Sequence, residues 1–401
     1  MNKKISLGVA ISLVAIGCAI TFVLTWTVSL NIYNSKIGSS EKYEGVYAKL
    51  REIDSTVRRN YIGSISDDVL EAGVINGYVS SIGDKYASYM PATDYYELQQ
   101  TTGGVVLGAG FEAEEDGSGY LKITGVYKGS SAEINGIQIG DMITEVDGKS
   151  LLSIGSATAK ERLSGEVGTR LALKLLRDGE EISVNLVRQQ LEIQSVTGKM
   201  LDGDIGYISI TTFNTKTPEQ FSEVFNKLTE NNARALIFDL RQNSGGLVSP
   251  LKPMLSRMIP ATIVATAEYT DGSRKTLIET DSEEYLKGIP MAVLVDGGTA
   301  SAAELFAVAL RDEAGAILVG TQTYGKGILL NTYEFSDGSA LTISAAKIIP
   351  AKSASYDGVG LKPEYVTELP VGVIPDNLPV DSDSQLQKAL EILKPLTKTE
   401  E

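Results

Sequence analysis

The chain has 401 residues, of which 43% are apolar and 22% charged, and its formal net charge is −15. That balance describes a globular protein with room for two or three cored domains and no basic footprint for nucleic acid. There is no histidine and only one cysteine, Cys18, so a Ser-His-Asp triad, His-ligated zinc or haem, an intramolecular disulfide and dithiol redox chemistry are all excluded.

Met1-Asn2-Lys3-Lys4 precedes an uncharged, mostly apolar run from Ile5 to about Ile32, longer than the roughly 20 residues that a spanning helix needs. A transmembrane anchor over residues 1–35 is expected, with Lys3 and Lys4 favouring a cytoplasmic N-terminus and an extracytoplasmic body. The alternatives are a cleaved signal peptide or a lipoprotein signal at Ala15-Ile16-Gly17-Cys18; cleavable apolar regions are usually shorter than this run.

Residues 36–100 read as a small helical region. Val46, Leu50, Ile53 and Val57 recur at helical spacing among charges, and a second helix is expected from Asp67 to Ile82. Asp84 to Pro91 follows as a tyrosine-rich connection. The apolar stripe of the first helix needs a partner, either the body or a second copy.

From Gly103 the texture changes to short alternating strands with glycine turns: Val105 to Phe111, Leu121 to Val126, Met142 to Val146, Arg170 to Leu176 and Glu181 to Val187. Within residues 101–190, Leu107-Gly108-Ala109-Gly110-Phe111 and Gly140-Asp141-Met142-Ile143-Thr144-Glu145-Val146-Asp147-Gly148 resemble a PDZ domain. That resemblance implies that Leu107 to Phe111 hold a peptide C-terminus on backbone N–H groups while the peptide adds a strand to the sheet edge. A glycine-punctuated hairpin without ligand is the bland reading.

Beyond Leu191 strands and helices alternate as an α/β layer fold requires. Strands are expected at Ile205 to Ile210, Ala235 to Leu240, Met291 to Val295 and Ile317 to Val319. Helices are expected from Pro218 to about Glu230 and from Ser301 to Arg311. A hairpin joins Ile328 to Phe335 with Ala340 to Ile349.

The strand Met291 to Val295 delivers Asp296-Gly297-Gly298-Thr299-Ala300 as a turn that places Ser301 at a helix N-terminus, where free N–H groups and the dipole favour negative charge. Ser301-Ala302-Ala303-Glu304 is equally a capping box, in which the hydroxyl merely satisfies a backbone donor. Arg241-Gln242-Asn243-Ser244-Gly245-Gly246 is a second strand-glycine-helix turn, and the amide of Gly245 or Gly246 with that of Ala302 would make a two-donor oxyanion hole. Without histidine, a serine nucleophile depends on another base; Lys326, between Gly325 and Gly327, serves if the fold desolvates it, and is otherwise a solvated turn lysine. Gly320 to Gly327 nearly matches a phosphate-binding loop, but Gly327 replaces the required hydroxyl and a strand follows instead of a helix. Ser249-Pro250-Leu251-Lys252 matches SxxK without its SDN and KTG partners.

These segments, in order, resemble the C-terminal-processing, or tail-specific, serine peptidases. The resemblance rests on the helical N-terminal region, the PDZ insert, Asp239 to Gly246, Gly298 to Glu304, Tyr324 to Gly327 and Gly358-Val359-Gly360-Leu361-Lys362-Pro363. It implies an α/β peptidase core of mixed β-sheet and helices over residues 191–370, an inserted β-rich PDZ domain and a C-terminal segment over 371–401. It further implies Ser301 as nucleophile, Lys326 as general base and a PDZ module that recruits substrate C-termini and gates the site. The family commonly carries a glutamine four residues after the lysine; here that position is Leu330, with Gln322 or Asn331 as stand-ins. The expected protein is a membrane-anchored extracytoplasmic serine endopeptidase acting on protein substrates with small or apolar C-termini. It needs no cofactor and no metal, it forms a homodimer through the amphipathic helix and Gln385 to Leu393, and a regulatory protein partner is open. An inactive peptidase-like PDZ tether is the rival reading, and a small-molecule esterase gains nothing from a PDZ domain.

Overall fold

The computed structural model describes residues 8, 16–29, 41–370, 373–375 and 378–397, which fall into two units, 1–74 and 75–401. In the first unit residues 16–29 are helical and exposed, followed by α1 (Glu41–Asn60) and the start of α2 (Asp67–Ser80). Among the described residues no helix is long and apolar enough to cross a membrane; the rest of the expected anchor, residues 1–7, 9–15 and 30–35, lies outside them. Arg58 closes α1 with an ion pair to Asp54 at 2.8 Å and another to Asp67. Val46, Ile53 and Val57 remain exposed on α1, so the amphipathic stripe expected there is present and uncovered within its unit.

The second unit opens with a short strand, β1 (Ser88–Met90), and a helix, α3 (Ala92–Thr102), where only a connection was expected. The expected strand Val105 to Phe111 is instead two: β2 (Val105–Gly108), which pairs with β9 (Gln189–Glu192), and β3 (Phe111–Glu115) in a different sheet. Gly110 makes the break, with φ of +93°, a conformation that only glycine adopts without strain. The β-rich module continues through β4 (Leu121–Val126), α4 (Ser131–Ile134), β5 (Met142–Val146), β6 (Lys149–Ser150), the kinked helix α5 (Leu151–Leu163), β7 (Arg170–Arg177) and β8 (Glu180–Val187). Its sheet runs β3-β4-β5-β7-β8, and Leu121, Ile123, Ile143, Leu171, Leu173 and Leu175 point inward to one buried cluster, the period-2 pattern of a sheet with one dry face.

The larger layer is a six-stranded sheet ordered β10 (Val196–Leu201), β11 (Ile205–Ile210), β12 (Ala235–Asp239), β15 (Met291–Val295), β16 (Ile317–Gly320) and β19 (Tyr365–Val366). All neighbours are parallel except β10 and β11. Every residue of β12 and β15 is buried, as continuous apolar runs in a parallel sheet covered on both faces require. Leu236, Phe238 and Val293 face α6 (Thr217–Glu230) and α8 (Ala302–Ala314). Ala235, Ile237, Ala292 and Leu294 face α9 (Ser384–Leu393) on the other side. The short helix α7 (Leu251–Leu255) follows the β12 turn, and the hairpin β13 (Thr262–Tyr269) and β14 (Arg274–Thr280), unexpected from sequence, joins a second sheet with β1, β17 (Ile328–Glu334) and β18 (Ala340–Pro350).

Candidate active site

Parallel β12 and β15 are adjacent, so the turns leaving their C-terminal ends share one crevice. Asp296 stitches them together: its Oδ1 accepts from Gln242 N–H and Gly298 N–H, both at 2.9 Å, and its Oδ2 accepts from Gln242 Nε2 at 2.7 Å. Thr299 Oγ1 donates to the Leu240 carbonyl at 2.8 Å, and Ala300 N–H donates to the Asn243 carbonyl at 2.9 Å. The expected juxtaposition of the two glycine turns therefore exists. A Cβ on Gly245 would lie 2.8 Å from the Ala300 carbonyl and 2.9 Å from Ser301 Cβ, so only glycine lets the backbones meet there.

Ser301 adopts φ of +56° and ψ of −118°. A non-glycine residue at positive φ costs of order 1–3 kcal/mol and persists only where the surroundings over-determine it. Here the surroundings are the two stitched turns in front and α8 behind. The capping box expected between Ser301 and Glu304 is present, but on backbone angles far from the extended ones of an ordinary N-cap. Ala302 N–H donates to no protein group among the described residues, and neither does Gly246 N–H. Gly245 N–H, in contrast, is held by Asn243 Oδ1 at 2.8 Å. Of the two glycine amides expected to serve as oxyanion donors, Gly246 is the unengaged one; Gly245 supplies close approach and a carbonyl that accepts from Phe213 N–H at 2.9 Å.

Glu304 has a larger role than a capping box allows. It is fully buried, and its Oε2 accepts from the N–H groups of Ser301 at 2.9 Å and Lys326 at 2.8 Å. Its Oε1 accepts from Gly325 N–H at 2.7 Å and Thr323 Oγ1 at 2.5 Å. One carboxylate thus clamps the serine turn to the lysine turn. The late glycine segment backs this clamp, because Leu361 N–H donates to Thr323 Oγ1 at 2.7 Å and Gly360 sits so close that a Cβ would lie 2.2 Å from the Thr323 carbonyl. The spacing Ser301-x-x-Glu304 was visible in sequence, but nothing local told a cap from a bridge to a loop 22 residues on.

Lys326 is half-buried, and burial pushes its amine below the ordinary lysine value. The amine makes no hydrogen bond or ion pair among the described residues and none to Ser301; Nζ rests 5.1 Å from the centroid of the Tyr86 ring. The expected stand-ins are occupied elsewhere: Gln322 Nε2 donates to the Val359 carbonyl at 2.5 Å, and Asn331 is exposed on β17 opposite Ile343.

Behind the first turn, Arg241 is buried between Asp239 (Nε to Oδ1, 2.9 Å) and Asp383 (Nη2 to Oδ2, 2.8 Å), and its Nη1 also donates to Gln385 Oε1 at 3.0 Å. Burial alone would lower the guanidinium pKa; the two carboxylates more than offset it and hold the charge firmly. This pins α9 to the loop that carries Gly245 and Gly246.

In the β-rich module, Leu107 and Gly108 end β2, Phe111 starts β3, and Ala109 and Gly110 form the bend. The Ala109 carbonyl accepts from Ala132 N–H and the Gly110 carbonyl from Tyr127 N–H, both at 2.9 Å, whereas the N–H groups of Ala109 and Gly110 donate to no protein group among the described residues. β3 pairs only with β4, which leaves one strand edge beside free amides.

Comparison with known proteins adds lineage to this geometry. Residues 204–367 match the Peptidase family S41 and residues 122–177 match the PDZ domain. The chain is 30% identical over 373 residues to the carboxy-terminal processing protease CtpA of Bacillus subtilis (strain 168), covering 92% of this chain and 78% of that one. Its fold is similar to that of a photosystem II D1 C-terminal processing protease, with a TM-score of 0.50 and 23% identity over 86% of this chain and 90% of that one.

Proposed function

Because the chain belongs to peptidase family S41 and is a PDZ-containing serine-type C-terminal processing peptidase, we propose that it cuts protein substrates with a Ser301–Lys326 dyad. The observation that carries this reading is the Glu304 clamp, which ties a strained serine to a desolvated lysine through one carboxylate. As Ser301 Oγ adds to the scissile carbonyl carbon, its proton passes to neutral Lys326 Nζ, and the oxyanion is received by the N–H groups of Ala302 and Gly246. The C–N bond then breaks, the proton moves from Lys326 to the leaving amine, and water hydrolyses the acyl-enzyme to restore Ser301. Ser301 Oγ and Lys326 Nζ share no hydrogen bond in the resting site, and bringing them together while Nζ stays against the Tyr86 ring is an adjustment of the kind that resting sites make on binding substrate.

Substrates are captured by their C-termini, with Leu107 to Phe111 as the carboxylate loop and the open edge of β3 as the strand partner. An N-terminal anchor over residues 1–35 keeps the body extracytoplasmic, and α1 is the proposed dimer contact; the length of the apolar run and the exposed stripe on α1 support these two, whereas the stripe expected at Gln385 to Leu393 is buried against the sheet through Leu386, Ala389, Leu390 and Leu393. The test uses the full chain in detergent with an unstructured protein ending in Ala or Val, read by mass spectrometry. Fragments that vanish in Ser301→Ala and Lys326→Ala are expected. Binding of the tail without cleavage by the intact chain would replace the peptidase reading with the tether.

A further inference from the structure

We propose that Tyr86 is a positioning residue for the Lys326 amine, its ring face supplying the surface that holds the base in place of a polar orienting group. The inference rests on Lys326 being the base.

The Lys326 amine has no hydrogen bond or ion pair among the described residues, and the Tyr86 ring lies beneath it with its centroid 5.1 Å from Nζ. Leu330, Gln322 and Asn331 do not serve: the first has no polar atom, the second is turned to Val359 and the third is exposed. An aromatic face suits a base that alternates between amine and ammonium. The neutral form gains a dry apolar wall, while the ammonium formed on taking the Ser301 proton is attracted by the ring quadrupole.

Tyr86 is itself held by design of the turn. Asp84 Oδ1 accepts from Tyr86 N–H at 3.0 Å and from Ser344 Oγ at 2.8 Å, and Asp84 Oδ2 accepts from Ser344 N–H at 2.8 Å. Burial would raise the Asp84 carboxyl, but these donors hold it below its ordinary value, so the grip persists through neutral pH. Ser344 lies on β18 opposite Leu330, and β1, just after Tyr86, pairs with the same strand at Ser88 and Thr342. The ring is therefore carried by the strand that also carries the lysine hairpin, and the two keep register.

The ring is the part of Tyr86 that meets Lys326: Tyr86 Oη makes no hydrogen bond of ordinary geometry, and the cation it favours is Lys85, whose ammonium it holds above the ordinary lysine value. The charged groups that meet the ring or the backbone of the lysine turn are Lys85, whose Nζ lies 4.6 Å from the same ring centroid, Asp357, which accepts from Gly327 N–H at 3.2 Å, and Glu304, which accepts from Lys326 N–H at 2.8 Å.

Three replacements in the full chain in detergent test this, with cleavage of the tailed substrate followed against pH and folding followed by thermal melting. Tyr86→Phe should keep wild-type kcat and pH profile. Replacing Tyr86 by 3,4,5-trifluorophenylalanine, which keeps the shape but flattens the quadrupole, should lower kcat about fivefold with KM unchanged. Tyr86→Ala should lower kcat further and move the acid limb to higher pH as water reaches the amine. Equal kcat for the phenylalanine and trifluorophenylalanine proteins, or an unmoved acid limb in a folded Tyr86→Ala, would overturn the proposal. A Tyr86→Phe variant with the activity of Tyr86→Ala would overturn it as well, by assigning the role to the hydroxyl. If instead Lys326→Ala remains active, the base assignment fails and not the contact alone.

Discussion

Replacing Glu304 separates its clamping role from simple helix capping. In Glu304→Gln the amide can keep its oxygen toward Ser301 and Lys326 N–H and turn Nε2 toward Thr323 and Gly325, where Thr323 Oγ1 can turn to accept and Gly325 N–H cannot. Two buried donors, Gly325 N–H and the Thr323 hydroxyl, lose their acceptor and two charge-assisted bonds become neutral, a loss of roughly 2–4 kcal/mol. In Glu304→Ala all four donors lose their acceptor inside a closed space, for a loss of about 4 kcal/mol or more, a large share of the stability of an ordinary domain. Because the two turns are joined through this side chain, the serine and lysine should lose their relative placement, and a shift near 1 Å costs on the order of 100-fold in rate. Thermal melting and cleavage kinetics together decide: Glu304→Gln should melt a few degrees lower with about tenfold lower kcat, and Glu304→Ala should lose 100-fold or more while tail binding by the PDZ module is kept. A Glu304→Ala enzyme with wild-type kcat and melting temperature would refute the clamp.

Gly245→Ala forces a Cβ to 2.8 Å from the Ala300 carbonyl at φ of +105°, so kcat should fall by about 100-fold in cleavage assays with little change in KM. Asp383→Ala leaves Arg241 with one carboxylate in a buried site and should cost about 3–5 kcal/mol in denaturant titrations. Lys326 has a folded-state pKa below its unfolded value, so the unfolded chain binds more protons in the interval between the two. Wild-type stability should therefore rise with pH across that interval, and the inactive Lys326→Met should melt higher than wild type at pH 7 but lose this pH dependence. Gly110→Val would drive a side chain against Ser130, where the added Cβ alone would lie 2.1 Å from Ser130 Cβ, and fluorescence polarisation with a tail peptide should show at least tenfold weaker binding.

The sequence by itself determined the alternation of strands and helices beyond Leu191, the continuous buried strands at Ala235–Asp239 and Met291–Val295, and the candidacy of a lysine as base for Ser301, since the absence of histidine left few others. It also located both glycine turns, because strand-glycine-helix transitions are local and leave local signatures. The hairpin Thr262–Tyr269 with Arg274–Thr280 went unread, for its mixed polarity makes sense only against β18. So did the division of Val105 to Phe111 between two sheets. Tertiary structure alone decided that Glu304 bridges two loops, that Asn243 takes the Gly245 amide and leaves Gly246 free, and that Tyr86 meets Lys326 from 240 positions away. Periodicity and turn chemistry are encoded residue by residue along the chain. Which buried donor meets which acceptor depends on distances that exist only once the sheets have packed.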